Sequence, residues 1–260
     1  MLRCVTYLAA EDGEAGLPRS LFADIVVGLE QRLSRPVTLQ VARCGSGPRV
    51  AADDAFAAGE ADLGWVCAPS MLWLHAQGSV DLVPASMVPD DPRCEGRPHY
   101  WCEVIVRADH GAGRLEELGG QVAAFNDRAS LSGFGSLLGR VQDLGGEAYF
   151  GRWLETGSHA RSVRAVRAGD ADVAVVDANI WRTMPKQGLR VLESLGPFPI
   201  QPMVVRRGAL DPHRVAAALQ SWQPPAQSMV LGFAPVSLGE IRSGVPWAAM
   251  QSVWRSADQG

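Results

Sequence analysis

Apolar and polar positions alternate along the chain in blocks whose spacing switches between that of buried strands and that of amphipathic helices. Between residues 18 and 33, apolar side chains fall at 21, 22, 25, 26, 29 and 33, the period of a helix, and Pro18 suits its first turn. In the first part of the chain this pattern predicts strands at 2–9, 37–41, 62–66 and 80–87 and helices at 18–33, 50–58 and 71–76. Such alternation predicts a mostly parallel sheet flanked by helices.

Two proline-rich stretches divide the chain. Residues 89–98 interrupt regular structure, and a second break lies at 196–199. Between and after these breaks the pattern predicts strands at 100–107, 122–125, 153–156, 173–176 and 203–206 and helices at 130–144 and 159–168. We therefore predict an α/β protein of two lobes joined by two hinge strands, with a ligand crevice between them. One lobe would comprise residues 1–98 with 202–260, and the other would be an insert of residues 99–201.

The stretch 126–133 carries the most specific candidate chemistry, because a buried strand ends where it begins and a helix opens within it. Ser130 is a good N-cap for that helix. The amides of Leu131, Ser132 and Gly133 would then be free in the first turn, where the partial positive charge of the helix end favours an anion. Gly133, lacking a side chain, would let a ligand approach the backbone. The alternative is an ordinary capped helix without a ligand.

Two further strand ends place polar side chains at the same predicted sheet edge. Ser158 and His159 follow the strand at 153–156, and Asp177 closes the apolar strand at 173–176. An imidazole can donate a hydrogen bond to an oxyanion, and open α/β sheets bind ligands at the carboxyl ends of their strands. The alternatives are a histidine on the surface or satisfied in the core, and an aspartate that only caps the next helix.

Charge and composition argue against several functions. The formal net charge is −4 and the positive charges are scattered, so the chain lacks the basic surface of a nucleic-acid-binding protein. The five cysteines are odd in number and none has C-x-x-C spacing, which indicates buried free thiols in a reducing compartment. The histidines are too dispersed for a metal site. The glycines at 133, 135 and 139 do not fit the dinucleotide-binding spacing, so we expect neither a metal nor a cofactor.

The N-terminus bears on the compartment. Residues 1–10 pass directly into an acidic segment and lack the basic start, apolar run and cleavage site of a secretory signal. The nearly uncharged stretch at 66–80 is too short and too interrupted to span a bilayer, so we expect no membrane insertion. The sequence as it stands predicts a cytoplasmic protein, and a periplasmic or extracytoplasmic one if a leader has been removed.

Three stretches occur together in an informative order: residues 126–133, the sequence T-G-S-H at 156–159, and Asp177. Tyr100 before the strand at 101–107 and the sequence L-E-E-L-G-G at 115–120 complete this order. The combination resembles the phosphate, phosphite and phosphonate solute-binding family of the type II periplasmic-binding-protein fold, over residues 36–185. Leu131 stands where the family often has threonine between the two serines.

The resemblance implies a set of ligand-binding residues. Phosphonate oxygens would be bound by Ser130, Ser132, Gly133, His159 and Tyr100. The other end of the ligand would meet Asp177 and Asn179. The first lobe would contribute the turn that contains Pro69 and Ser70, after Trp65. The candidate set is completed by Asn126, Leu131 and Ser158.

The leading hypothesis is therefore a monomeric solute-binding component of ABC-type transport, which binds a small oxyanion by hinge closure and has an ABC permease as a partner. One alternative is a cytoplasmic enzyme of the same fold, of the thiamine-pyrimidine or menaquinone biosynthesis type, with His159 and Asp177 as candidate acid and base. The other is a ligand sensor. The residues do not decide whether the chain is an enzyme, although they favour binding.

Overall fold

The computed structural model describes residues 1–9, 17–42 and 45–257. Its strands are β1 Leu2–Thr6, β2 Val37–Val41, β3 Leu63–Trp65, β4 Val80–Leu82, β5 Ala85–Pro89, β6 His99–Arg107, β7 Val122–Phe125, β8 Arg152–Glu155, β9 Val173–Asp177, β10 Leu189–Pro199, β11 Met203–Arg206 and β12 Val230–Pro235. Its α-helices are α1 Arg19–Leu33, α2 Ala68–Gln77, α3 Ser136–Arg140, α4 His159–Ala168, α5 Ala178–Thr183, α6 Pro212–Gln220, α7 Leu238–Gly244 and α8 Trp247–Ala257.

Most strands belong to two five-stranded sheets that share one topology. The first has the order β2-β1-β3-β11-β4, and the second, taken from its other edge, has the order β8-β7-β9-β6-β10. In each sheet four strands run in one direction, and the fifth, β11 or β6, runs against its neighbours. The reversed strand is the one by which the chain arrives from the other sheet. This arrangement confirms the predicted α/β fold with mostly parallel sheets.

Burial explains why the strands of the second sheet are almost wholly apolar. Along β7 and β9, alternate side chains such as Ala123 and Val175 join the main core, while Ala124 and Val176 face a second cluster beneath α4 and α5. Because both faces are covered, no position on these strands can be polar until Asp177 at the strand end.

Helix α1 shows how the apolar period positions an element. Its six buried side chains recur at helical spacing between Leu21 and Leu33, and they pack the helix against β2 and α6. Pro18 precedes the first turn, and Ser34 ends the helix in the left-handed conformation. None of the helices in the described part of the chain is both long and apolar enough to cross a membrane.

Several predicted elements are wrong in detail. The helix expected at 50–58 is only a short 3-10 turn, Ala51–Asp53, because the Asp54 carboxylate accepts hydrogen bonds from the amides of Phe56 and Ala57 and so turns the chain. The strand expected at 80–87 is two strands, β4 and β5, with Pro84 between them. The turn expected at 68–70 is the first turn of α2.

The helix expected at 130–144 is also broken. It consists of a π-helical turn, Leu131–Gly135, followed by α3 and a 3-10 turn at Gln142–Leu144. The predicted break at 196–199 is the end of β10, a strand that the pattern missed. β10 tolerates its prolines because it lies at the sheet edge and has a register shift between Leu195 and Phe198.

The last two helices, α7 and α8, contact elements within residues 99–201, whereas α6 contacts α1. Helix α7 contacts β10, and α8 contacts α3. The indole nitrogen of Trp254 donates to the backbone oxygen of Arg128 at 2.9 Å. Residues 202–260 therefore contact both groups of elements, since β11 pairs with β3 and β4 of the first sheet. The division into residues 1–98 with 202–260 and residues 99–201 stays a prediction.

Candidate ligand-binding site

A cavity of about 480 Å³ lies at the carboxyl ends of parallel strands from both sheets. Cys67 follows β3 of the first sheet, whereas Asn126 and Asp177 stand at the ends of β7 and β9 of the second. This is the edge at which open α/β sheets bind ligands. Of the candidate residues, those that line the cavity are Asn126, Ser130, Ser132, Ser158, His159 and Asp177.

The two serines and the histidine form a continuous hydrogen-bonded row. Ser130 Oγ and Ser132 Oγ are 3.4 Å apart, and Ser132 Oγ lies 3.1 Å from His159 Nε2. Ser130 also caps the following turn, since its Oγ accepts a hydrogen bond from the amide of Gly133 at 2.9 Å. The turn is held open to a π-helical width by a bond from the amide of Gly135 to the oxygen of Ser130. The row therefore presents two hydroxyls and one imidazole nitrogen to the cavity.

Burial keeps the imidazole of His159 neutral. The side chain is 8% exposed, and the loss of solvent lowers its pKa to about 4, against a smaller opposing effect of the Val175 backbone. Nδ1 has no partner with hydrogen-bond geometry within the described residues. Ser158 fixes the start of α4 by accepting a hydrogen bond from the amide of Arg161. A nearby anion would favour the protonated ring.

Asp177 ends β9 with both carboxylate oxygens occupied. Oδ1 accepts from the backbone amide of Asn179 at 2.8 Å, and Oδ2 accepts from Nε2 of Gln201 at 3.0 Å. Burial raises its pKa to about 6, and these hydrogen bonds oppose that rise. Asn179 does not line the cavity. Gln201 does, and sequence analysis missed it because its place beside Asp177 depends on the strand crossing after β10.

A second group of polar side chains lines the cavity and joins the elements of the two sheets. Ser46, in the segment after β2, donates from Oγ to Oδ2 of Asp127 at 2.6 Å. Asn126 Nδ2 donates to the same carboxylate oxygen at 3.0 Å and lies 3.4 Å from Ser46 Oγ. Burial raises the pKa of Asp127, while the hydrogen bonds from Ser46 lower it. We name Ser46, Asn126 and Asp127 the clamp.

Glycine is required at position 133 because a neighbouring side chain occupies the space that a Cβ would need. A Cβ at this position would lie 1.6 Å from Oδ1 of Asn126 and 2.6 Å from its Cγ. Asn126 therefore fills the space that we expected to be open to a ligand, and Gly133 itself does not line the cavity.

Cys67 accepts a hydrogen bond from one of the amides that we expected to bind an anion. Its Sγ accepts a hydrogen bond from the amide of Leu131 at 3.2 Å, which joins the start of α2 to the π-helical turn. Burial raises the pKa of the Cys67 thiol to about 12, so the sulfur stays protonated. Leu131 does not line the cavity. A cysteine directly after a predicted strand was the signal that could have identified this residue.

The remaining candidates are buried. Trp65 packs edge-on against Phe22, and Pro69 and Ser70 are buried in the first turn of α2. Tyr100 is buried, and its hydroxyl has no hydrogen-bond partner among the residues that the structure describes. Burial raises the pKa of Tyr100. None of these four lines the cavity.

Charged residues of both signs also line the cavity. They are Arg49, Arg128, Arg161, Asp53, Asp127, Glu155 and Asp177. The guanidinium of Arg128 lies over the rings of Phe125 and Phe134 and pairs with Glu147 at 3.1 Å. Within the described residues, no group of three or more His, Cys, Asp or Glu could hold a metal ion.

Solved structures share this architecture. XAC2383 from Xanthomonas citri bound to ATP is 17% identical, covers 97% of each chain and has a TM-score of 0.71. The binding protein component of an ABC phosphonate transporter (PA3383) from Pseudomonas aeruginosa is 15% identical, covers 99% of this chain and 96% of its own, and has a TM-score of 0.70. PhnD1 from Prochlorococcus marinus (MIT 9301) in complex with methylphosphonate is 13% identical, covers 100% and 98%, and has a TM-score of 0.71.

These identities are too low to show more than the fold, and the fold is that of the type II periplasmic binding proteins. No curated protein matches the chain significantly. A family model described as "ABC transporter, phosphonate, periplasmic substrate-binding protein" matches residues 19–232. The match covers most of the chain and confirms the resemblance seen in its motifs. The chain belongs to the family of periplasmic phosphonate substrate-binding proteins of ABC transporters.

Proposed function

We propose that the cavity binds the anionic head of a phosphonate or phosphate compound and that Ser130, Ser132 and His159 are the principal residues that contact this head. The observation that carries this proposal is their hydrogen-bonded row at the cavity surface. Two hydroxyls can turn their hydrogens toward an oxyanion, and the neutral imidazole can donate from Nε2 in the tautomer that carries its hydrogen there. The Leu131 amide donates to Cys67 Sγ, so it would bind the ligand only after that hydrogen bond is broken.

The fixed position of Asp177 at the end of β9 supports a role in ligand binding. Its side chain is held rigidly by the Asn179 amide and by Gln201. Burial destabilises the charged form of a carboxylate. A ligand that donates a hydrogen bond to this carboxylate therefore stabilises it. We propose that Asp177 and Gln201 meet a donor group of the ligand away from the anionic head.

Closure of the two sheets on the ligand would present a composite surface to a membrane permease, as expected of a solute-binding component. Enzyme and sensor functions stay hypotheses. The pKa of His159, about 4, is too low for an efficient base near neutral pH, and both carboxylate oxygens of Asp177 already accept hydrogen bonds from Asn179 and Gln201.

Calorimetric titration with methylphosphonate and inorganic phosphate at pH 7 tests the proposal. At 100 times the dissociation constant, a ligand should also stabilise the protein against unfolding by about 2.7 kcal/mol. The double variant Ser130→Ala/Ser132→Ala should lose at least 100-fold in affinity, since two hydrogen bonds to a charged group are each worth about 1.5–3 kcal/mol. Ser86→Ala, which removes a buried hydroxyl on β5, is the matched control. Unchanged affinity in the double variant would refute the proposed site.

A further inference from the structure

The cavity is much larger than the ligand that its anion-binding row requires. Its volume of about 480 Å³ is typical of sites for drug-sized molecules. A methylphosphonate has five non-hydrogen atoms. Even if each atom took the ~30 Å³ that a water molecule occupies in the liquid, the ligand would fill only about a third of this space. Most of the cavity is therefore left for another part of the ligand.

Part of the remaining wall is apolar and incompletely buried. Five such side chains line the cavity, and each keeps partial exposure to solvent: Leu8, Ala9, Leu17, Ala42 and Ile180. The first three lie around the parallel bridge between Ala9 and Leu17, whereas Ile180 belongs to α5 on the other sheet. We name these five residues the apolar wall. A nonpolar group between its two sides would remove apolar surface from water in the closed state.

The charges of the cavity do not favour a ligand with several phosphates. Among the described residues that line it, three arginines face four carboxylates. A polyphosphate needs a surplus of positive charge, since each additional buried anion must be paired. The lining therefore disfavours further anionic groups on the ligand beyond the head that Ser130, Ser132 and His159 would bind.

We propose that the ligand is a phosphonate or phosphate monoester with a bulky, uncharged and largely apolar substituent, which the apolar wall selects. This inference rests on the proposed function, because Ser130, Ser132 and His159 supply the site for the head. In this inference, residues outside that row select the size and polarity of the substituent.

Calorimetry with phosphonates that share one head and differ in substituent tests the inference. Benzylphosphonate should bind at least tenfold more tightly than methylphosphonate, because burial of roughly 55 Å² of additional apolar surface suffices for that factor. ATP and pyrophosphate should bind more weakly than benzylphosphonate. Ala42→Trp and Ile180→Trp each place a larger side chain in the cavity beside the apolar wall, on the side of a different sheet. Each should reduce the tenfold preference for benzylphosphonate over methylphosphonate to below threefold. Ser130→Ala should weaken both phosphonates by the same factor.

The outcomes separate the two proposals. If no phosphonate or phosphate binds, the proposed function fails. If methylphosphonate binds as tightly as benzylphosphonate, or if both tryptophan variants keep the full preference while retaining the wild-type melting temperature, the function stands and the inference fails. Tighter binding of ATP or pyrophosphate than of benzylphosphonate would overturn the assignment of a single anionic head.

Discussion

Ser46 and Asp127 are 81 residues apart in the chain, yet the Ser46 hydroxyl donates to the Asp127 carboxylate at 2.6 Å in the lining of the cavity. One residue lies in the segment after β2 of the first sheet, and the other follows β7 of the second. Hydrogen bonds to charged groups contribute about 1.5–3 kcal/mol. The contact joins the segment after β2 directly to the end of β7, so it favours the arrangement in which the two sheets lie close together.

We predict that Ser46→Ala shifts the ligand-free protein toward a more open form. Small-angle X-ray scattering should show a larger radius of gyration, and affinity for methylphosphonate should fall by about tenfold, because the ligand must then supply the free energy of closure. Ser86→Ala serves as the control for loss of a buried hydroxyl. An unaltered radius of gyration would show that the clamp does not govern closure.

We predict that Asp177→Asn stabilises the protein above pH 6. The folded state raises the pKa of this carboxyl to about 6 from its usual 3.8, so folding favours the protonated form. The associated stability is present below about pH 4 and is lost as the pH rises through 6, a cost of up to about 3 kcal/mol at pH 8. Asparagine avoids that cost, and Gln201 can turn its amide to remain bonded.

Chemical denaturation of wild type and Asp177→Asn between pH 4 and 8 measures this effect. The two free energies of unfolding should converge near pH 4, and the variant should be more stable at pH 8. A constant difference across the range would mean that ionisation of Asp177 is not its cause.

We predict the opposite pH dependence for His159. Its pKa is lowered from 6.5 to about 4, so the neutral ring is favoured by folding. The stability that accompanies this preference is complete above pH 6.5 and is lost as the pH falls through 4, by about 3 kcal/mol in all. His159→Gln removes this contribution, so its unfolding free energy should decline less than that of wild type between pH 6.5 and 4. Parallel declines in the two proteins would contradict the assignment.

We predict that Gly133→Ala is destabilising by about 1–3 kcal/mol, because the added methyl overlaps the Asn126 side chain. The double variant Asn126→Ala/Gly133→Ala should lose less stability than the sum of the single variants, since the second change removes the obstacle. Gly111→Ala is a matched control, with no heavy atom within 4 Å of its added Cβ. Thermal unfolding of the wild type, Asn126→Ala, Gly133→Ala and the double variant measures the coupling between the two positions. Additive losses would show that Asn126 is not the reason for glycine at this position.

The sequence alone determined the elements whose pattern is local. The apolar runs of β7 and β9 predicted buried strands, and the polar residues at their ends, Asn126 and Asp177, predicted the edge at which the cavity lies. Helix α4 was predicted at its observed bounds, because Ser158 caps its start and Gly169 ends it. The motifs also indicated the family. These inferences succeed because strand burial and helix capping depend on residues close together in the chain.

Only the tertiary structure decided which distant groups meet. The amide of Leu131 is bound by Cys67, 64 residues away, and Asp127 by Ser46, 81 residues away. Asn126 fills the space at Gly133, and β10 exists because a sheet edge accommodates its prolines. A sequence pattern specifies which face of an element is buried and where the element ends. It does not specify which donor meets which acceptor when two sheets close on each other, because that depends on the relative placement of the sheets.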